Sequence, residues 1–268
     1  MSCIHAEPSD PCVTVDTCAI IHDRDEDFGH IEAFDPSSGD SLPPVKLLPS
    51  QKINLDELTH LTEVQRAELL EVLDKYPECF SETSGFCTFA EHEIPVTSDF
   101  KPRQMKAYKI PERIKPEVER QIQELLRLGF IRPSKSAMAS PLVCVMKGKD
   151  GKDGVRLAVD YRYVNKYTTG DAYPIPDVAD VIQRIGGAQY ISTFDSKARY
   201  WQTPVREDHR WLTAFICDEG LFEWVRTPFG MKSSGATFVR AVHQVLKPLK
   251  VFTDSYIDDM SAHDSSFT

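Results

Sequence analysis

Apolar residues recur along this chain with two periods, one helical and one alternating. From Thr62 onward, Val64, Leu69, Val72, Leu73 and Tyr76 read as the apolar stripe of a helix. Thr62 suits its cap, Gln65 completes a capping box, and Pro77 closes it. A second helix is expected from about Pro116 to Leu128, burying Val118, Ile122, Leu125 and Leu126, with Gly129 at its C-cap. The pattern then shortens. Residues 141–146 and 155–160 read as strands joined by the polar loop 147–154, a β-ribbon with a mobile tip. Three lysines on that tip suit phosphate, or simply a solvated hairpin loop. Residues 176–185 read as a short amphipathic helix ended by Gly186-Gly187, and 189–195 as a strand ending in Asp195. A hairpin is expected from 211–216 and 221–225 across Asp218-Glu219-Gly220. Residues 233–246 read as a helix with Phe238, Val239, Val242 and Val245 inward.

This order of elements is an α+β pattern with a mostly antiparallel sheet and packed helices. Residues 1–55 stand apart. They hold the charge run Asp23-Arg24-Asp25-Glu26-Asp27 and turn-forming stretches such as Asp35-Pro36-Ser37-Ser38-Gly39. They read as an acidic, weakly ordered linker or tail, or a strand borrowed from a neighbouring domain. Residues 56–110 form a helical and extended lead-in to the segment 111–268.

Composition narrows the class. With 268 residues, 41% hydrophobic and 27% charged, the chain is an ordinary globular one rather than fibrous or disordered. It has no apolar run of membrane-spanning length and no secretory signal at Met1, so a cytoplasmic setting without membrane is expected. Seven irregularly spaced cysteines lack a CxxC pair, which fits reduced thiols. The net charge of −10 conceals an asymmetry. Residues 1–99 carry 5 Lys+Arg against 21 Asp+Glu, whereas residues 100–268 carry 26 against 20. The second part permits a nucleic-acid partner that the whole-chain charge argues against.

The chemistry of interest lies in carboxylates. Asp195 ends an apolar run, and Asp258-Asp259 follow Tyr256-Ile257 directly. Neighbouring residues on a strand point to opposite faces, so a double Asp sits best on a tight turn. Such a turn would aim Asp258 at Asp195. Converging carboxylates repel unless a cation sits between them, and hard oxygen ligands suit Mg²⁺. A surface Asp pair in a turn is the bland alternative.

The wider pattern resembles the reverse transcriptase domain of LTR retrotransposons and retroviruses, closest to the gypsy-like group. The resembling pieces occur in family order. They are Gly129-Phe130-Ile131-Arg132-Pro133-Ser134, Val159-Asp160-Tyr161-Arg162-Tyr163-Val164-Asn165-Lys166, Phe194-Asp195-Ser196-Lys197-Ala198-Arg199-Tyr200-Trp201-Gln202, Thr227-Pro228-Phe229-Gly230-Met231, and Tyr256-Ile257-Asp258-Asp259. The resemblance implies right-hand polymerase fingers and part of a palm over 111–268. It implies an RNA-directed and DNA-directed DNA polymerase that adds dNTPs to a primer 3′-hydroxyl by two-metal nucleotidyl transfer. Asp195, Asp258 and Asp259 would be catalytic and hold two Mg²⁺ ions, with Mn²⁺ as a substitute. Tyr200 would exclude a 2′-hydroxyl, Arg162 and Lys152 would reach the triphosphate, and Phe229 and Gly230 would flank the nascent base pair. The implied partners are a primed RNA or DNA template, dNTPs and the remainder of a Pol polyprotein, in the cytoplasm, a virus-like particle or the nucleus.

Departures from the family pattern are specific. Ala198-Arg199 stands where Ser-Gly is usual, and Gly235 stands where a Pro is usual. Nine residues follow Asp259, where the family continues into further palm, thumb and ribonuclease H. The chain is therefore expected to be a piece of a polyprotein, or a host-retained inactive fragment acting at most as a binding module. By itself it should be nearly inactive.

Overall fold

A computed structural model describes residues 13–15, 48–80, 84–146, 154–196, 199–257 and 259–267. In chain order the elements are β1 (Val13–Val15), α1 (Glu63–Lys75), α2 (Lys115–Arg127), β2 (Ile131–Pro133), β3 (Ser140–Met146), β4 (Val155–Val159) and α3 (Arg162–Tyr167). They continue with α4 (Val178–Ile185), β5 (Tyr190–Asp195), β6 (Phe215–Cys217), β7 (Gly220–Trp224), α5 (Ser234–Leu246), β8 (Thr253–Tyr256) and β9 (Asp259–Asp264). The strands form two sheets, ordered β1-β5-β9-β8 and β2-β7-β6-β3-β4. Antiparallel pairing dominates; β1 with β5 and β3 with β6 are the parallel pairs among the described strands. The chain divides into two compact bodies. One holds residues up to 83, 175–197 and 242–268; the other holds 84–174 and 198–241.

In the first body, α1 begins as its sequence dictates. The Thr62 hydroxyl accepts from the Gln65 backbone N–H at 3.3 Å, and the Gln65 side chain accepts from the Thr62 N–H at 3.0 Å. The expected apolar stripe does not hold. Leu73 is buried and Leu69 packs on the Leu58/Leu61 cluster with Ile53 and Phe267, while Val64, Val72 and Tyr76 are exposed. The reason is angular. Val64 lies about 180° around the axis from Leu73, so one packing face cannot cover both. Gln65 also donates to the Tyr190 hydroxyl at 3.2 Å, tying α1 to the start of β5.

The second body is built on the five-stranded sheet. Val118, Ile122 and Leu125 of α2 are buried, and Gly129, at φ +69°, turns the chain into β2. Its N–H donates to Leu126, and that of Phe130 donates to Leu125, closing the helix end. The hairpin expected from 211 onward is shorter than its apolar run. Residues 207–213 form 3-10 turns, and β6 starts only at Phe215. Thr213 explains the break. Its hydroxyl accepts from the Trp224 N–H, and its carbonyl accepts from the Tyr161 hydroxyl rather than from a ladder N–H. The strand expected over 155–160 ends as β4 at Val159, and Arg162–Tyr167 forms the short helix α3. The inward stripe of α5 also stops early, since Val245 is exposed.

His92 is a buried polar group that sequence reasoning missed. It is 0% exposed, its Nδ1 lies 2.9 Å from the Thr237 hydroxyl, and its Nε2 has no hydrogen-bond partner among the described residues. Burial, aided by the nearby His209 and opposed by Asp171, pushes its pKa down to about 4. Between pH 6.5 and 4 the unfolded chain binds the proton that the folded chain refuses. Stability therefore falls as pH drops through that window, by roughly 3 kcal/mol in all. The urea midpoint of the wild type should drop between pH 7 and pH 4.5, and the drop should shrink in His92→Leu. An equal drop in both would assign the effect elsewhere.

Among the described residues, no helix is long and apolar enough to cross a membrane. Cys79, Cys87, Cys144 and Cys217 are free thiols, and burial pushes that of Cys217 up to about 12, so it is no nucleophile.

Candidate active site

Asp195 and Asp259 come from opposite ends of the sequence of one antiparallel pair. β5 runs toward its last residue, Asp195, and β9 starts at Asp259, so the register sets them directly opposite one another. Directly paired residues share a sheet face with Cβ atoms about 5 Å apart. Both side chains are exposed. Two carboxylates in that relation repel one another. The arrangement suits a hard divalent cation with oxygen ligands. Asp258, expected to face Asp195, lies outside the described residues, and among those described no group of three metal-ligating side chains forms.

The turn that delivers Asp259 is tight. Tyr256 pairs with Asp259 across a two-residue connection, and Ile257 sits at φ +56°. Two-residue hairpins require such positive φ, and a β-branched residue there is unusual and strained. The strand leading into the turn is anchored on both sides. Asp254 of β8 is buried, accepts from the Arg184 guanidinium of α4 at 2.8 Å, and lies 3.2 Å from His263 Nε2 of β9. Asp254→Ala would strip both partners of their acceptor. It should cost about 1–3 kcal/mol, read as a lower urea midpoint at unchanged m-value.

In the other body, Tyr200 sits half-buried in a 3-10 turn, Arg199–Gln202. Its ring meets Phe229 at 5.1 Å and the edge of Phe238 at 6.3 Å, and the Arg199 guanidinium lies over it at 4.8 Å. Trp201 is buried against Phe130, Trp224 and Phe229. Gly230 holds φ +85° and is exposed. The Asn165 amide fixes this turn, donating to the Gly230 carbonyl at 2.7 Å and accepting from the Lys232 N–H at 2.8 Å. Lys232 in turn donates to the Thr168 carbonyl.

Arg162 opens α3 with an exposed side chain. It makes a two-pronged pair with Asp160, at 2.8 and 2.6 Å, which pulls the Asp160 carboxyl down to about 2. The Tyr108 hydroxyl donates to the same carboxylate at 3.2 Å. Lys152 lies outside the described residues.

The family model described as "Reverse transcriptase (RNA-dependent DNA polymerase)" matches residues 146–266, a span that includes Asp195, Asp259, Tyr200, Phe229, Gly230 and Arg162. The chain belongs to the reverse transcriptase family. It is 32% identical over 230 residues to the retrovirus-related Pol polyprotein from transposon 297 of Drosophila melanogaster, covering 84% of this chain and 21% of that relative. It is 34% identical over 168 residues to the enzymatic polyprotein of cauliflower mosaic virus strain NY8153, covering 62% of this chain and 25% of the relative. The foamy viral protease-reverse transcriptase, solved in complex with an RNA/DNA hybrid, superposes with a TM-score of 0.68 at 27% identity. That match covers 77% of this chain and 28% of the other. The chain thus spans about a fifth to a third of the length of the polyproteins it matches. The reverse transcriptase polymerase fold expected from the sequence is the fold found, with its antiparallel-rich sheets.

The reverse transcriptase motifs fall into place unevenly. Asp195 and Asp259 are brought together by register; Tyr200, Phe229 and Gly230 share one body with Arg162. The contributions of Asn165 and Asp160 were not read in advance. Their signal was present, since both flank Arg162 in the same motif, but their roles are to hold other groups rather than to carry chemistry.

Proposed function

We propose that this chain is an RNA-directed and DNA-directed DNA polymerase domain of a retrotransposon Pol polyprotein. The observation that carries the reading is the in-register opposition of Asp195, at the end of β5, and Asp259, at the start of β9. Asp195, Asp258 and Asp259 are the groups that would hold divalent metal, Mg²⁺ or Mn²⁺. Bound there, metal ions would lower the pKa of the primer 3′-hydroxyl and neutralise charge developing on the phosphates. The residues of the chain supply the rest. Tyr200, braced by Phe229 and Phe238, presents an aromatic wall to the sugar of an incoming dNTP. Phe229 and Gly230 offer a flat face and an open backbone beside the nascent base pair. Arg162, pre-aligned by Asp160, presents its cation to the triphosphate, and Lys152 is a second candidate for it. Catalysis of this kind rests on positioning and electrostatics more than on proton transfer by side chains.

The template, primer and dNTPs are the proposed partners, together with the remainder of a polyprotein, in the cytoplasm, a virus-like particle or the nucleus. The test is single-nucleotide extension of a DNA primer on RNA and on DNA templates with Mg²⁺. Template-matched incorporation that is lost on chelation supports the reading. Nucleic-acid binding with no incorporation, in this chain and in one extended to the length of a relative, would favour a binding module instead.

A further inference from the structure

Position 199 carries an arginine next to the ring proposed as the sugar gate, and the environment of that ring is uneven. Phe229 and Phe238 give Tyr200 apolar neighbours at 5.1 and 6.3 Å. Toward its hydroxyl stands Gly235 of α5, which has no side chain; a Cβ built there would lie 3.5 Å from the Tyr200 oxygen, an ordinary van der Waals contact. A contact that any other residue at 235 would make with the phenol is therefore absent. The Arg199 guanidinium lies over the ring at 4.8 Å, within the distance at which a cation is attracted to an aromatic face. Its planar, weakly hydrated head suits stacking in a half-buried setting.

A steric gate discriminates only as far as its ring refuses to move. A 2′-hydroxyl pressing on a tyrosine that can swing aside is accommodated instead of rejected. The energy that holds the ring in place therefore limits the discrimination. We infer that Arg199 is a positioning residue that pins the Tyr200 ring by stacking, replacing a contact that Gly235 leaves out, and so sets how strongly this chain prefers deoxynucleotides to ribonucleotides. The inference rests on the gate reading of Tyr200, and it adds a determinant on a different side chain. Arg199 acts through the ring, without touching nucleotide.

The experiment measures equilibrium dissociation constants of dGTP and GTP, with Mg²⁺ and a primed template, on the full chain. It compares wild type, Tyr200→Ala, Arg199→Met, Arg199→Lys and the double variant Arg199→Met/Gly235→Ala. Arg199→Met keeps the length and removes the cation. It should lower the GTP-to-dGTP ratio about fivefold, the equivalent of ~1 kcal/mol of stacking. Arg199→Lys, which keeps a cation but loses the planar head, should fall between wild type and Arg199→Met. Gly235→Ala in the Arg199→Met background should recover part of it by restoring a contact at the hydroxyl. Gly-to-Ala near a helix start also favours the helix, so recovery is not confused with unfolding. A ratio unchanged in Arg199→Met while Tyr200→Ala collapses it would overturn the inference and leave the gate standing. A ratio unchanged in both removes the gate reading and this inference together. Equal weakening of both nucleotides in Arg199→Met would show direct phosphate contact, which also overturns a positioning role. Failure of the wild type to bind or to discriminate sinks both.

Discussion

Asp195→Asn is expected to reduce primer extension by roughly 10³-fold or more, equivalent to about 4 kcal/mol of transition-state stabilisation. The assay background is this chain extended with the C-terminal remainder of the transposon 297 polyprotein, compared with the same protein carrying Asp195. The loss follows from the register. Asp195 faces Asp259 across the β5–β9 ladder, and together they offer the paired oxygens that a divalent ion requires. An amide at 195 keeps the shape and one carbonyl oxygen but removes one of the carboxylate charges that would attract the ion. Folding should not suffer. Like charges directly opposite in a sheet are destabilising, so the neutral variant should unfold at the same urea concentration as wild type or slightly higher. The pairing of lost activity with retained or raised stability distinguishes a metal site from a structural one. A variant that loses both together would mark Asp195 as part of the framework. A variant that keeps its rate would remove the carboxylate pair from the chemistry.

The second large effect is expected at Tyr200. In the same extended background, Tyr200→Ala should lower the ratio of kcat/KM for dGTP over GTP by about 10²-fold, since specificity is differential stabilisation of two transition states. The ring is held by Phe229 and Phe238 and by the Arg199 cation, so its removal opens space that other side chains are not placed to refill. Most of the change should come from faster GTP incorporation, with dGTP losing only the apolar contact to its sugar. Tyr200→Phe separates ring from hydroxyl and should keep the ratio near wild type, because the barrier is the ring. A ratio unmoved by Tyr200→Ala would return the residue to plain aromatic packing between Phe229 and Phe238.

Much of this molecule was legible because its signals are local. The capping box at Thr62 and Gln65, the terminating Gly129, and the apolar run that ends at Asp195 each need only a few neighbouring residues to act, and each does so in the fold. The ordered motifs were equally local, which is why the family could be read from residues strung along one chain. What the sequence left open depends on which surfaces meet. Val64 and Leu73 sit on opposite sides of α1, and the choice of side was made by the Leu58/Leu61 cluster and by Tyr190. The apolar run from Trp211 turned into 3-10 structure because Thr213 found partners in Trp224 and Tyr161, far away in sequence or on another element. His92 gives no pattern at all in the sequence; only burial beside Thr237 makes it a titrating liability.

The site divides in the same way. That three aspartates stand in the motifs of the family was written in the chain, and no periodicity argument was needed for it. Which two face each other was not, because a single-residue slip of β9 on β5 would have sent Asp259 to the opposite face. Register is a property of the whole ladder, from Tyr190 with Asp264 to Asp195 with Asp259, and of the tight turn at Ile257 that sets where β9 begins. The sequence by itself determined most of the element types, the family and the candidates for the reactive groups, since those rest on short-range chemistry. Tertiary structure alone decided the pairing of the carboxylates and the cation stacked on Tyr200, since those rest on contacts whose partners are chosen only when the chain has closed on itself.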